Sequence, residues 1–483
     1  MSAQFDPSMY LAILPEIGLI VLAAITLVLD LVWQDRRCRY LGWITAGGLA
    51  VIAGLAVAFA RPGPDPLLIF GGMLRLDDTG FVFRLIFLFG ATITALFAVD
   101  NEGLCNKGEF YTLLLVSTLG MSLMASSADL IMLFLAIETT SIPLYVLAGF
   151  IIRDQNSVEA GIKYLLFGAM TSAISLYGFS LLYGFCGTTQ IYAMGEIFAN
   201  GQISPVLIGM SILLVVVGFA FKISGVPFHF WAPDVYQGAP TPVAGYLSTA
   251  SKAAGFAVLM RVLLAVFPGQ TDVWILLVAI MATASMFLGN LLALAQKNIK
   301  RMLAYSSIAQ AGYILIGVAS GTELGISGSV YYLLGYLFTN LVAFGVVNVI
   351  EDAVESSEIK AFSGLSRRNP MLALLMLAAL LSLGGIPPFA GFFGKLLVFG
   401  SAIESGQVWL AIVGIINSMI ALYYYLTVLR VIYQGEGGAP YWVSPSWQVA
   451  LVIGLVGILV LGVVFAPFFG WSQQAAQSLS LFN

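Results

Sequence analysis

Four ionisable side chains stand deep inside long apolar runs: Glu138, Lys222, Lys252 and Lys395. A charge at mid-bilayer costs roughly 3 kcal/mol on insertion scales, so an intramembrane ionisable group is functional by default. Lysine suits proton transfer in such a place. Burial lowers its pKa and a nearby carboxylate raises it again, so the group can take a proton and give it back. These four residues are therefore the candidate proton relay. The competing account is a static buried ion pair, for example Glu138 with Lys222, which leaves Lys252 and Lys395 without an acidic partner in the chain.

His229 is the one histidine and follows Pro227 in SGVPFHF. It could carry protons, since imidazole titrates near neutrality, or hydrogen-bond a carbonyl freed by a helix break; both readings stand. Arg84 and Lys163 also fall within apolar runs, but near helix ends, where they can snorkel to the interface. Glu16, nearer an outer end, reads as a structural anchor. Asp234 reads as a helix-end or loop carboxylate near a membrane face. Tyr305, Ser306, Ser307 and Gln310 could support a water chain, with simple packing the alternative.

The composition sets these residues in context. Hydrophobic residues make up 60% of the 483 and charged ones only 9%, against about 25% in soluble domains, and mean hydropathy is +0.98. The chain reads as an all-α polytopic membrane protein. Cys38, Cys105 and Cys186 are isolated, with no CxxC and no Cys/His cluster, so no metal, haem or iron–sulfur site is expected. No glycine-rich nucleotide loop precedes a helix, and nucleic-acid binding is a poor reading. The start, MSAQFDPSMY, lacks the basic region of a cleaved signal, so the first apolar run is expected to remain as a membrane helix.

Runs of about 20 apolar residues predict fourteen spans, centred near 21, 50, 89, 118, 140, 172, 217, 254, 282, 309, 338, 385, 420 and 458. The basic residues of the joins segregate. One set of loops holds Arg36, Arg37, Arg39, Lys107, Arg153, Lys297, Lys300, Arg301, Lys360, Arg367, Arg368 and Arg430; the other holds Arg61, Arg75 and Arg261. The first set is expected to be cytoplasmic and both termini to lie on the outer face.

SGVPFHF at 224–230 is echoed by GGIPPFA at 384–390, placing Gly225 and Gly385 160 residues apart, and KYLLFG at 163–168 is echoed by YYLLGY at 331–336. That spacing holds five helices, an odd number, so two such units face opposite ways: an inverted repeat with two broken helices. The expected organisation is 1–109, a three-helix N-terminal segment; 110–268 and 269–434, the two repeats; and 435–483, a C-terminal helix. Matched prolines inside spans free backbone groups that need protein or water partners, which points to a hydrated path.

FLAIETTSIPLYVLAGF, FKISGVPFHFWAPDVYQGAPTPV, GNLLALAQKNIKRMLAYSSIAQAGY and GGIPPFAGFFGK resemble the antiporter-like membrane subunits of respiratory complex I, the proton-pumping NADH:quinone oxidoreductase. The likeness covers nearly the whole chain. It differs from members with a glutamate where Lys395 stands, and from longer members with a lateral helix. The resemblance implies two inverted five-helix units with the seventh and twelfth helices broken. Glu138 matches the family's glutamate of the fifth helix, Lys222 its partner at the broken seventh, Lys252 the central lysine of the eighth and Lys395 the terminal lysine of the twelfth; His229 also matches a family histidine. Gln310 stands where many relatives have histidine.

The implied function is proton translocation coupled to NADH and quinone chemistry in other subunits. FMN, iron–sulfur clusters, NADH and quinone are expected there and no cofactor here. Expected partners are an antiporter-like neighbour, small membrane subunits, the lipid bilayer and, indirectly, a peripheral redox arm. An acidic group from an adjacent subunit is a candidate partner for Lys395. The implied location is a bacterial inner membrane, or a thylakoid or other internal membrane. Alternatives are a subunit of a cation/proton antiporter or membrane-bound hydrogenase, and a passive scaffold whose buried charges only specify assembly.

Overall fold

A computed structural model describes residues 8–33, 38–101, 103–105, 107–199, 203–436, 438–440 and 442–479; Arg36 and Arg37 lie outside them. The spans are α1 (Leu14–Trp33), α2 (Cys38–Phe59), α3 (Asp78–Ala98), α4 (Gly108–Ser126), α5 (Leu130–Ala148) and α6 (Gln155–Cys186). The seventh is divided into α7 (Pro205–Ile223) and α8 (Trp231–Gly238). Next come α9 (Thr241–Val266), α10 (Thr271–Leu294), α11 (Ile299–Ala319) and α12 (Glu323–Val354). The twelfth is divided into α13 (Pro370–Gly384) and α14 (Ala390–Glu404), and α15 (Val408–Gln434), α16 (Pro445–Val463) and α17 (Phe465–Gln477) complete the chain. Among the described residues 13 helices are long and apolar enough to span a membrane; the halved twelfth makes fourteen.

Side chains at the ends set the helix starts. Asp129 accepts from Ile131 N at 2.8 Å ahead of α5, Asn298 from Arg301 N at 3.1 Å ahead of α11 and Thr322 from Gly325 N at 3.1 Å ahead of α12, each satisfying an orphan amide. Five helices from α4 to α9 and five from α10 to α15 keep one order: the third of each series has 32 residues and the fourth is broken. α7 stops where Ser224 turns left-handed (φ 57°), α13 where Gly385 does (φ 81°), and a cis X–Pro bond lies just beyond each stop, at Val226–Pro227 and Pro387–Pro388.

The most apolar stretches of α9 and α11 are wholly buried, against 28% of that of α1, so α9 and α11 form the centre of the bundle. Two expectations are corrected by this packing. Arg261 is not in a loop but inside α9, 1% exposed, where Asp77 takes its guanidinium at 2.7 and 2.9 Å. Arg84 does not snorkel: it is 3% exposed and bonds Glu16 at 2.8 Å, whose Oε1 also accepts from Ser122 at 2.5 Å. A buried guanidinium needs a carboxylate more than it needs water it cannot reach. Elements too short or too amphipathic for a hydropathy scan were not foreseen: the hairpin of β1 (Leu67–Ile69) and β2 (Leu74–Leu76), the helix Ile191–Ala199 and α17. Thr79 Oγ1 bonds Ala475 O at 2.6 Å, tying α17 to the start of α3.

A candidate proton-transfer axis

Glu138, near the middle of α5, is half-buried and takes a 2.7 Å hydrogen bond from Ser172 of α6. Lys222 lies in the last turn of α7, 3% exposed, and its Nζ has no hydrogen-bond partner within the chain. No direct Glu138–Lys222 ion pair forms. Lys222 lines a cavity of about 20 Å³ together with Ser172, the donor to Glu138, and with Ser175, Ser141 and Tyr145. That is room for one water, and Ser175 Oγ is also unpartnered. In place of a static pair the two groups are separated by the Ser172 hydroxyl and a water-sized space.

The carbonyl of Phe221, at the break, accepts from Ser224 N at 3.0 Å and from Trp231 Nε1 at 3.1 Å. His229 is 3% exposed with Nδ1 unpartnered, on the linker between α7 and α8. Lys163 and Asp234 pair with each other at 2.6 Å, and Asp234 also takes Arg301 at 2.6 Å. Asp234 is within α8 and joins α6 to α11.

Lys252 sits on α9 directly after a π-helical turn, Leu247–Ser251. It is 1% exposed and donates to the carbonyl of Ser307 on α11 at 2.8 Å. A π turn adds a residue to the helical cycle and so re-aims the side chains C-terminal to it. One turn further on, a Cβ at Gly255 would stand 2.9 Å from Lys222 Cβ; the glycine lets α9 lie against the end of α7 and brings the two lysine backbones together.

From Lys252 a polar series runs into the second unit. Ser306 hydrogen-bonds Tyr425 of α15. Gln310 Nε2 reaches the Tyr425 hydroxyl at 3.2 Å and Leu383 O at 3.0 Å, while Tyr332 donates to Gln310 Oε1 at 2.5 Å. Leu383 O is also an acceptor of Lys395 Nζ, at 3.0 Å. Lys395 further donates to Gly384 O at 3.1 Å and Ser418 Oγ at 2.7 Å, and lies 4.6 Å from the Tyr313 ring centroid. All three ammonium donors are met inside the chain by carbonyls at the negative end of α13 and a hydroxyl, without an acidic partner. Gln310 and Ser306 thus lie on the series; Ser307 contributes its carbonyl, and Tyr305 packs by Arg301 instead, 5.8 Å from ring to guanidinium. Sequence reasoning missed Tyr332, Tyr425 and Ser418. The available signal was tyrosine where phenylalanine would serve, in YYLLGY and YYY.

Gln310→Leu strands the Tyr332 hydroxyl, at about 1–3 kcal/mol for a buried unmet group, and leaves Tyr425 with Ser306 alone. Its expected outcome is a lower thermal midpoint and slowed proton transfer, whereas Gln310→His, which keeps a donor and an acceptor, retains both better. Gly385 needs its left-handed φ, and a Cβ there would meet Lys395 Cδ at 2.7 Å. Gly385→Ala is therefore expected to displace the ammonium and reduce transport more than Gly400→Ala, where nothing lies within 4 Å; paired transport assays on the two variants check this.

Residues 127–421 match the sequence model of the NADH:quinone oxidoreductase/Mrp antiporter transmembrane family, and the chain belongs to that family. It is 45% identical to NADH-quinone oxidoreductase subunit N of Moorella thermoacetica, over 93% of this chain and 94% of that one. It is 40% identical to NAD(P)H-quinone oxidoreductase subunit 2 of Nostoc punctiforme, over 95% and 88%. Among solved structures, a chain of respiratory complex I from Thermus thermophilus is 34% identical with TM-score 0.80, covering 94% of this chain and 98% of that one. A chain of the Mrp complex of Dietzia sp. shares the fold, with TM-score 0.84 at 22% identity over 98% of each.

Proposed function

We propose that this chain is a proton-translocating membrane-arm subunit of an NADH:quinone oxidoreductase, of the kind named subunit N in its relatives. The observation that carries the reading is the buried series from Lys252 to Ser307 O and, from the adjacent Ser306, through Tyr425, Gln310 and Leu383 O to Lys395, within a chain 45% identical to a subunit of that name. Glu138, half-exposed on its own subunit, receives the signal from electron transfer elsewhere. Through Ser172 and the intervening cavity it alters the charge preference of Lys222, and protons pass by Lys252 toward Lys395. His229, its ring nitrogen unpartnered beside the break, is the candidate accessory carrier. Residues 110–268 and 269–434 act as two oppositely oriented halves.

In this reading flavin, iron–sulfur clusters, NADH and quinone belong to partner subunits, and this chain performs translocation without redox chemistry. The positive-inside distribution favours the Lys300 and Arg301 loops on the cytoplasmic face of a bacterial inner membrane. Identities of 45% and 41% to chains named NADH-quinone oxidoreductase subunit N, over nearly their whole length, favour the oxidoreductase over a free-standing antiporter. The test is isolation of the tagged chain in mild detergent. Co-purification of NADH:quinone reductase activity with flavin and iron–sulfur absorbance is expected; a preparation lacking both refutes the reading.

A further inference from the structure

A cavity of about 630 Å³ opens on the face that carries the basic loops, yet its own lining holds six carboxylates (Asp154, Glu159, Asp234, Glu351, Asp352 and Glu355) against Lys300 and Arg301. With Lys163, which pairs with Glu159 and Asp234, the cations number three and the carboxylates remain in excess; a concave surface with such an excess concentrates cations, protons included, and repels anions. Its floor lies between the start of α9 and the end of α12. There Glu351 takes Lys300 Nζ at 3.2 Å and a hydrogen bond from Thr241, the first residue of α9. Asn348, one turn deeper on α12, lines the same cavity, is 2% exposed and has an unpartnered Nδ2.

Below Asn348 the polar series breaks once and then resumes. Residues 351, 348, 344, 340 and 336 succeed one another at helical intervals of three and four and share a face of α12. Position 344 is a phenylalanine, 2% exposed, resting against α9 at Gly245, where a Cβ would stand 3.2 Å from Phe344 Cβ. Its ring is 6.2 Å from that of Tyr236. Beyond it, Asn340 Nδ2 donates to Ser248 at 2.6 Å and to Tyr336 at 3.0 Å. Ser248 belongs to the π turn that ends at Lys252.

We propose that protons enter through the acidic bowl at Glu351 and descend the α9–α12 seam to Lys252, and that the Phe344 ring seated on Gly245 is the shutter across that route. The carboxylates hold excess protons at the mouth, and Asn348 offers an unfilled donor to the first water of a file. Asn340, Tyr336 and Ser248 receive the file on the far side. Between them one aromatic ring excludes water, and the absence of a side chain at 245 leaves that ring a smooth surface to turn on. The entry route rests on the relay reading of Lys252, so its test includes a readout that does not depend on transport.

In the assembled complex in inside-out vesicles, with Cys38, Cys105 and Cys186 replaced by serine, cysteine is placed at Asn348 or Asn340. Silver ion is then added to the cytoplasmic face, and reaction is read as protection from later maleimide labelling in denaturant. Asn348→Cys is expected to react at least about tenfold faster than Asn340→Cys, a difference of ~1.4 kcal/mol in access, and Phe344→Ala is expected to bring the second rate up to the first. Phe344→Ala is also expected to raise passive proton permeability per assembled complex. Equal rates with Phe344 in place, an unreactive position 340 after its removal, or an unchanged leak would overturn the proposal. If Lys252→Ala leaves proton transport intact while the silver pattern appears as expected, the relay reading fails and the gated seam remains.

Discussion

Replacing Lys252 by alanine is expected to leave the complex assembled and to cut proton transport through this chain by on the order of 10²-fold, the usual size of a lost proton-transfer group. The number of protons moved per NADH oxidised by the whole complex then falls by this chain's share. The informative companion is Lys252→Arg. Arginine keeps the positive charge and can still donate to the Ser307 carbonyl, which Lys252 reaches at 2.8 Å, but it does not release a proton in a protein. A static or scaffolding role would survive that change; a relay would not. Proton uptake by inside-out vesicles during NADH oxidation, normalised to assembled complex, separates the two. Normal stoichiometry in both variants would refute the relay.

Asp77→Ala is expected to be the most destabilising single change outside the axis. The carboxylate is fully buried, with 0% side-chain exposure. It takes Arg261 at 2.7 and 2.9 Å, stands 3.4 Å from Arg75, and caps α3 by accepting from Gly80 N at 2.8 Å. Its loss leaves a guanidinium uncompensated in the bundle, at roughly 3–5 kcal/mol, and removes a cap worth about 1 kcal/mol. Replacing the pair together, Asp77→Leu with Arg261→Met, is expected to be milder than the single change, because the fully buried guanidinium goes with its carboxylate and Arg75 keeps its bond to Ser478 O at 3.1 Å. Thermal unfolding of the purified complex measures both. A double variant no more stable than Asp77→Ala would show that the pair's burial is not what matters.

The span pattern was legible because each helix must carry a run of apolar residues long enough for the hydrocarbon. All fourteen expected centres fall within spans, the one near 385 at the break between α13 and α14. The broken helices announced themselves through proline and glycine at matched positions. The burial of Lys222, Lys252 and Lys395 came from the same patterning. Partnerships between distant segments were not legible in this way. Nothing in the run around Arg261 points to Asp77, 184 positions away, and nothing around Lys395 says that the carbonyls of Leu383 and Gly384 receive its ammonium. Glu138 and Lys222 were placed on the right helices, but the cavity between them depends on how α5, α6 and α7 pack. Short amphipathic elements such as α17 escape because their apolar face occupies only part of their length.

The 32 residues of α12 make a rod of about 48 Å at ~1.5 Å per residue, well beyond the ~30 Å of hydrocarbon it crosses. It meets the acidic bowl at Glu351, Gln310 through Tyr332 and, at its opposite end, Gln477 of α17, which bonds Glu323 at 2.8 Å. An unbroken helix is stiff along its axis, so a tilt about a point in the bundle would be shared by both of its ends. A tilt of about 5° would carry those ends roughly 2 Å in opposite directions on that length. A rod of this kind would tie the two faces of the subunit to a single mechanical coordinate, a displacement at one face arriving at the other with its sign reversed.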